Sequence, residues 1–141
     1  MLNKVMGIDY GKARIGVAIS DALGMVAGPV GTISEKFFPA QVTQVAEQVK
    51  KLAPTKIVLG LPRNMDGTEG DSAALVREFA EKLHEETGVP YELLDERLTT
   101  VSAHRFLSEM NVSGSKKRKG VVDTLSAVII LQNYLDKKEV L

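Results

Sequence analysis

Residues 6–20 have the sequence M-G-I-D-Y-G-K-A-R-I-G-V-A-I-S, in which a short apolar run ends at a single carboxylate, Asp9. The apolar run begins at Val5, and apolar character resumes at Ile15 after a turn that contains glycine. Two apolar runs joined by such a turn are typical of a β-hairpin. We therefore predict a hairpin that holds Asp9 at the end of its first strand, although an acid beside a turn can also be an ordinary surface residue.

Three glycines, Gly7, Gly11 and Gly16, lie within this hairpin. Glycine accepts positive φ and leaves room for close approach to the main chain. We expect either a ligand or a second structural element to come near the backbone beside Asp9.

The composition limits the classes of protein to which the chain can belong. Its 141 residues predict one domain, spanning 1–141, with a sizeable core. The charges of its 18 basic and 18 acidic residues cancel, so any contact with nucleic acid must come from local basic patches. The absence of cysteine excludes disulfides and thiolate metal sites, and no apolar run approaches the roughly 20 residues of a membrane span. We predict a cytoplasmic protein without a membrane segment.

Apolar periodicity and turn residues predict an alternation of helices and strands after the hairpin. Three strands followed by this alternation predict an α/β fold with a mixed sheet, in which the first three strands are antiparallel and the later two are joined by helical crossovers. The predicted elements are a strand over 28–34, a helix from Pro39 to before Pro54, a strand over 56–61, a helix capped by Asp71 or Ser72 and ended by Gly88, a strand over 91–95, a helix from Thr99 or Thr100 to about Met110, and a helix from about Val121 to about Asp136.

Asp123 is an unusual acid because it falls on the apolar side of the last predicted helix, between Ala127, Ile130 and Tyr134 on a helical wheel. A partly buried carboxylate requires a partner. A residue of the basic run K-K-R-K at 116–119, or the dipole of the first helical turn, could also fill that need.

Asp95 ends the last predicted strand and Glu96 follows it, at the carboxyl end where parallel sheets place their ligand sites. Successive strand residues point to opposite faces, so only one of the two can share a site with Asp9 and Asp123. Carboxylates that converge in this way form an oxygen-only site suited to Mg²⁺ or Mn²⁺. With nearby bases to neutralise phosphate, the pattern indicates phosphodiester chemistry.

Four sequence blocks occur in a fixed order along the chain. They are G-I-D-Y-G-K-A-R-I-G-V-A at 7–18, V-L-G-L-P-R-N-M-D-G-T-E-G at 58–70, D-E-R-L-T-T at 95–100 and K-G-V-V-D-T-L-S-A at 119–127. In these blocks the sequence resembles the YqgF family, also called RuvX, of the ribonuclease H-like superfamily, and the resemblance covers essentially the whole chain.

The resemblance implies a ribonuclease H-like fold with a central five-stranded sheet, helices on both faces, and a metal site formed by Asp9, Glu96 and Asp123. It also implies a nuclease that matures the 5′ end of the 16S ribosomal RNA precursor, or one that resolves Holliday junctions in DNA. RuvC-like sites carry a further acid soon after the last one. Here those positions hold Ser126 and Ala127, which departs from a four-carboxylate site.

Basic and polar residues near the expected site are candidates for contact with structured RNA or branched DNA, although exposed salt bridges and a solvated charge run are the ordinary alternatives. We expect the basic run to be a mobile loop that grips phosphates. A non-catalytic nucleic-acid-binding module is a rival function, against which three acids near phosphate argue. Both a monomer and a homodimer are compatible with the sequence. The candidates are Lys12, Arg14, Arg63, Asn64, Arg97, Lys116, Lys117, Arg118 and Lys119.

Overall fold

The computed structural model describes residues 3–95 and 115–139, and the side chains of all of these except 115–119 and 138–139. The predicted helix that ends near Met110 lies outside the described residues. The elements are β1 (Val5–Asp9), β2 (Arg14–Ser20), β3 (Ala27–Ser34), α1 (Phe38–Leu52), β4 (Lys56–Leu61), α2 (Asp71–Thr87), β5 (Tyr91–Asp95) and α3 (Ser115–Glu139).

The five strands form one mixed sheet in the order β3-β2-β1-β4-β5. β1, β2 and β3 pair antiparallel, whereas β1, β4 and β5 run parallel to one another. The predicted α/β fold and strand arrangement are therefore confirmed. Because β1, β4 and β5 are parallel, they all end at one side of the sheet, which we call the carboxyl edge and define by Asp9, Leu61 and Asp95. β2 begins at this same edge with Arg14.

Alternation along the strands divides the core between two faces of the sheet. Met6 and Ile8 of β1 pack with the buried residues of α1 and α2, including Phe79. Val5 of β1 packs instead with Leu131 and its neighbours in α3. Helices therefore cover both faces, as predicted. We call the face covered by α1 and α2 the α1–α2 face, and the face covered by α3 the α3 face.

α3 lies unusually close to the sheet because two glycines leave it room. A Cβ atom at Gly16 would overlap the carbonyl oxygen of Asp123, and one at Gly7 would lie 2.9 Å from that of Ala127. Real Cβ atoms do not approach other atoms so closely. The element that approaches the backbone at Gly7 and Gly16 is therefore this helix.

Hydrogen bonds hold α3 at both ends of its path across the sheet. The Thr32 hydroxyl of β3 donates to the carbonyl of Gly120 at 2.7 Å, and the Lys56 ammonium of β4 donates to the Tyr134 hydroxyl at 3.1 Å. The helix thus crosses diagonally from β3 to β4. Among the described residues, no helix has the length and apolar character needed to cross a membrane.

Two predicted helix starts are wrong. α3 begins at Ser115 rather than near Val121, so residues 116–119 are helical and do not form a loop. Lysine and arginine are good helix formers, which allows the helix to extend back beyond its packed part. The predicted cap of α2, Asp71 or Ser72, is also wrong, because Gly70 is at the N-cap. Asp71 lies in the first turn, where a negative charge interacts favourably with the helix dipole.

We expect Gly16→Ala to lower the free energy of unfolding by about 3 kcal/mol, because the added methyl group meets helix backbone that cannot rotate away. Urea denaturation measures the change. Gly120→Ala is the matched control in α3, since nothing lies within 4 Å of a Cβ atom there. It should raise stability by up to about 1 kcal/mol. Equal stability of Gly16→Ala and the parent would contradict the close helix contact.

Candidate active site

Asp9 and Asp123 are brought together by Gly16. Asp9 is the cross-strand partner of Gly16 in the β1–β2 pair, and the backbone of Asp123 rests on Gly16. Asp9 alternates with Val5 and Gly7, both of which contact α3, so its side chain lies on the α3 face. Paired strand residues are about 5 Å apart at their Cα atoms. The structure therefore places the backbones of Asp9 and Asp123, two of the three predicted acids, on either side of Gly16 at the carboxyl edge.

The partly buried Asp123 was expected to need a partner, and Arg14 is one. Its Nε donates to Oδ2 of Asp123 at 2.9 Å, and the two side chains are 38% and 20% exposed. The prediction of a partly buried acid is confirmed. The dipole alternative is wrong, because Asp123 lies more than two turns inside α3. Arginine suits this position because its planar group can bind one carboxylate and still present further N–H donors.

Gln41 of α1 holds the turn that joins Asp9 to Arg14. Its side chain is only 1% exposed. Its Nε2 donates to the carbonyls of Gly11, Lys12 and Glu35 at 3.3, 3.0 and 2.7 Å, and its Oε1 accepts from the Tyr10 hydroxyl at 2.8 Å. A buried amide with this many partners fixes the backbone of the turn.

Sequence reasoning missed Gln41, although a signal was present. It lies four and eight residues before Val45 and Val49, in the buried stripe of α1. A polar residue inside an apolar stripe indicates a buried hydrogen-bonding role.

Tyr10 anchors the same turn from the α1–α2 face. Its ring stacks on Phe79 with a centroid separation of 4.5 Å. Burial, followed by the nearby charge of Glu78, raises the pKa of Tyr10 above its ordinary value. The hydroxyl therefore remains protonated at neutral pH and donates to Gln41.

The loop over residues 62–70 follows β4 at the carboxyl edge and is folded upon itself. The Asn64 main-chain N–H donates to the carbonyl of Thr68 at 2.8 Å, and its side-chain amide donates to the Thr68 hydroxyl at 2.9 Å. Gly67 adopts a φ of 87°, which favours glycine. The predicted contact residues Arg63 and Asn64 are thus displayed on an ordered turn.

Glu69 attaches this loop to α2. Its carboxylate accepts two hydrogen bonds from Arg77, both 2.8 Å long, and lies 4.0 Å from Nη2 of Arg63. The Arg77 hydrogen bond is the main reason that the pKa of Glu69 lies below its ordinary value. The position of the loop therefore depends on an ionised Glu69.

Asp95 lies on the opposite face from Asp9 and Asp123. It pairs with Leu61 and alternates with Leu93, and both of these leucines pack with the α1–α2 core. Glu96 and Arg97 lie outside the described residues. Across residues 3–95 and 115–139, no group of three acidic or histidine side chains could hold a metal.

The basic candidates are distributed around this edge. Lys12 is exposed in the turn after Asp9. Residues 116–119 begin α3, with backbone positions within two turns of Asp123. The structure therefore places Arg14 in contact with an acid of the site, and Lys12, Arg63 and Asn64 at its border.

The mixed sheet, with an acid at the end of β1 and a second acid on the helix that crosses it, defines the ribonuclease H-like class. Solved structures of the same fold include Thermus thermophilus RuvC with a Holliday junction substrate, at a TM-score of 0.59 and 13% identity, covering 97% of this chain and 96% of that chain. The fowlpox virus Holliday junction resolvase matches at a TM-score of 0.58 and 9% identity, covering 96% and 99%. The predicted fold class is confirmed.

The chain belongs to the RuvX family, whose model, described as "Holliday junction resolvase", matches residues 3–137. A relative in Caldanaerobacter subterraneus is 46% identical over 136 residues, covering 96% of this chain and 98% of its own. A relative in Clostridioides difficile is 46% identical over 135 residues, covering 96% and 95%. Both are named "Putative pre-16S rRNA nuclease". The predicted family is therefore confirmed.

We expect Gln41→Leu to lower the free energy of unfolding by about 2 to 3 kcal/mol, because it leaves several buried polar groups without partners. Tyr10→Phe removes a single hydrogen bond and should cost about 1 kcal/mol. Chemical denaturation measures both changes. Gln44→Leu is the control, since Gln44 makes one hydrogen bond to Glu35 nearer the surface and should change stability by less than about 0.5 kcal/mol.

The pKa of Glu69 is lowered in the folded protein. We therefore predict that its pairing with Arg77 is complete at pH values above the ordinary pKa of a glutamate, and is lost as the pH falls through the lowered pKa of Glu69. Carboxyl carbon shifts in an NMR titration measure this pKa. Arg77→Met should raise it towards the ordinary value. Lys82→Met is the control, because Lys82 pairs with Glu85 elsewhere on α2. An unchanged midpoint in Arg77→Met would contradict the assignment.

Proposed function

We propose that this protein is a divalent-metal-dependent endonuclease that hydrolyses phosphodiester bonds of structured RNA, in processing the 5′ end of the 16S ribosomal RNA precursor. The observation that carries the proposal is the convergence of Asp9 and Asp123 through Gly16. Two acids held near each other repel, and a domain gains by keeping them together when a cation lies between them. Precursor ribosomal RNA as the substrate places the reaction in the cytoplasm.

The donors suit a hard cation. Asp9 and Asp123 offer carboxylate oxygens on one face of the sheet, and oxygen donors of this kind select Mg²⁺ or Mn²⁺. Glu96 is proposed as the third ligand, because Asp95, its neighbour, lies on the α1–α2 face. When bound, such an ion would activate water and stabilise the charge that develops on the leaving oxygen.

Arg14 prepares the site for a polyanionic substrate. Its hydrogen bond to Oδ2 orients the Asp123 carboxylate, and the remaining guanidinium donors can bind a phosphate oxygen. Gln41 sets the position of Arg14 indirectly, because it fixes the turn between Asp9 and β2. These hydrogen bonds thus fix Arg14, which would bind phosphate, relative to Asp123, which would bind the cation.

Lys12, Arg63 and Asn64 extend the positive and polar surface outward from Asp9. Each phosphate neutralised by a lysine or arginine adds favourable counterion release. We assign Arg97 and the basic residues Lys116, Lys117, Arg118 and Lys119 to the same role, on the basis of their sequence positions beside Glu96 and before Asp123. This surface accounts for substrate binding in a chain whose net charge is zero.

The choice of substrate rests on the relatives. Those at 43–46% identity carry the name of a nuclease of the 16S precursor, which favours RNA. The description of the family model favours a second candidate, branched DNA cut at a Holliday junction. Both substrates use the same hydrolytic chemistry, so substrate choice is separable from the site.

We expect Asp9→Asn and Asp123→Asn each to reduce cleavage by at least about a hundredfold, which corresponds to about 3 kcal/mol of lost transition-state stabilisation. Asp95→Asn is the matched control, since it removes an acid from the same edge but from the other face. It should cleave within a few-fold of the parent. Gel analysis of labelled substrates with Mg²⁺, and with chelator in its place, measures all four proteins.

The same assay is run on precursor 16S ribosomal RNA and on four-way DNA junctions. Cleavage of RNA alone supports the first candidate, and cleavage of junctions alone supports the second. Absence of cleavage by the parent, or equal cleavage by the parent and Asp9→Asn, would overturn a nuclease that uses this site. Binding by the parent without cleavage would favour a binding module.

A further inference from the structure

Large apolar side chains are exposed at a few places in the described part of the chain. Leu23, Met25 and Val26 lie in the turn between β2 and β3, at the edge of the sheet opposite to the site. Phe37 caps α1, on the α1–α2 face, and Met65 lies in the loop after β4. Both are near the carboxyl edge, at 65% and 86% exposure. Exposed apolar side chains beside an active site are candidates for contact with the substrate.

Phe37 differs from the other described aromatic side chains in presenting its ring to solvent. The next residue, Phe38, packs edge-on against Phe79 in the core at a centroid separation of 6.2 Å. Tyr10 stacks on Phe79 as well, and Tyr91 contacts His84. Two adjacent phenylalanines thus have opposite environments. Because Phe38 packs into the core from the same segment, the exposure of Phe37 is specific to that residue.

The backbone of Phe37 is fixed. Its N–H donates to Oε2 of Glu35 at 3.1 Å, and its carbonyl accepts from the main-chain N–H of Gln41 at 2.9 Å. It is the N-cap residue of α1, with Pro39 at the start of the helix. An aromatic side chain on a rigid support loses little conformational entropy when a ligand stacks on it.

The position of Phe37 relative to the site follows from the β2–β3 pairing. Arg14 is the cross-strand partner of Ser34, and the main-chain N–H of Glu35 donates to the carbonyl of Ala13 at 3.0 Å. Phe37 follows Ser34 by three positions along the chain, so the Cα atoms of Phe37 and Arg14 are at most about 16 Å apart. A few nucleotides of single strand span that distance.

Two exposed lysines lie near Phe37 along the backbone. Lys36 precedes it in the chain, and the main-chain carbonyl of Lys12 accepts from the same Gln41 amide group as the carbonyl of Glu35. An aromatic face between basic side chains is the arrangement with which proteins bind unpaired nucleotides, because the ring stacks on a base while the cations meet its phosphates.

We propose that Phe37, together with the nearby Lys36 and Lys12, is a stacking platform for an unpaired nucleobase of the substrate. The inference rests on the proposed function and deepens it, since it specifies a single-stranded segment within a few nucleotides of the cleaved bond. Bases within a duplex are already stacked on one another and do not offer a free face. The platform therefore selects for single-stranded segments of structured RNA.

The test uses the full chain carrying Asp9→Asn, which prevents cleavage during the measurement. Fluorescence anisotropy gives the Kd for a fluorescein-labelled single-stranded RNA of 12 nucleotides and for a duplex of the same sequence. Phe37→Ala should weaken binding of the single strand by about tenfold and leave duplex binding unchanged. Phe37→Trp should restore binding, because it keeps a stacking surface.

Leu23→Ala is the matched control, because it removes an exposed apolar side chain from the opposite edge and should leave both Kd values unchanged. A 2-aminopurine base in the single strand reports stacking directly. Its fluorescence should be quenched by the parent and by Phe37→Trp, and not by Phe37→Ala. Circular dichroism melting confirms that all variants are folded.

The proposal is overturned if Phe37→Ala binds the single strand as tightly as the parent, or if it weakens duplex binding equally. Either result leaves the nuclease proposal standing, because binding by the parent persists. Failure of the parent chain to bind or cut any nucleic acid is a different outcome. It removes the proposed function, and the platform with it.

Discussion

The contact between α3 and the glycines of the sheet is the constraint on which the site depends. A helix packed over ordinary side chains stands about 10 Å from a sheet, whereas Gly16 and Gly7 allow the backbone of α3 to touch the strands. This contact carries Asp123 to within one strand of Asp9. With a larger residue at Gly16, the helix would be displaced outward and the carboxylates would separate.

The polar groups of the site are held from the opposite face of the sheet. Gln41 and Tyr10 belong to the α1–α2 core, yet they fix the turn that sets Asp9 and Arg14 in relation to each other. A buried network of this kind is rigid because each member that loses its partner is left unsatisfied in a medium of low dielectric constant. The two faces of the sheet therefore have different tasks: α3 supplies an acid, and α1 holds the connecting turn in place.

The fold was largely predictable because each element carries its own signal. Apolar periodicity identified α1, strand-like runs identified β4 and β5, and glycine marked the end of α2 at Gly88. The start of α3 was not predictable in the same way. Its first residues are basic and polar, so they carry no apolar period, and the helix continues there because these residues favour it locally and the later turns are anchored on the sheet.

The sequence by itself determined the strand that ends in Asp9, the partial burial of Asp123 and the family, because these depend on local pattern and on ordered motifs. Only the tertiary structure decided that Arg14 is the partner of Asp123, that Gln41 supports the turn and that Asp95 faces away from both acids. The physical reason is separation along the chain. Contacts such as Arg14 with Asp123, which are 109 residues apart, exist only after the helix has packed on the sheet.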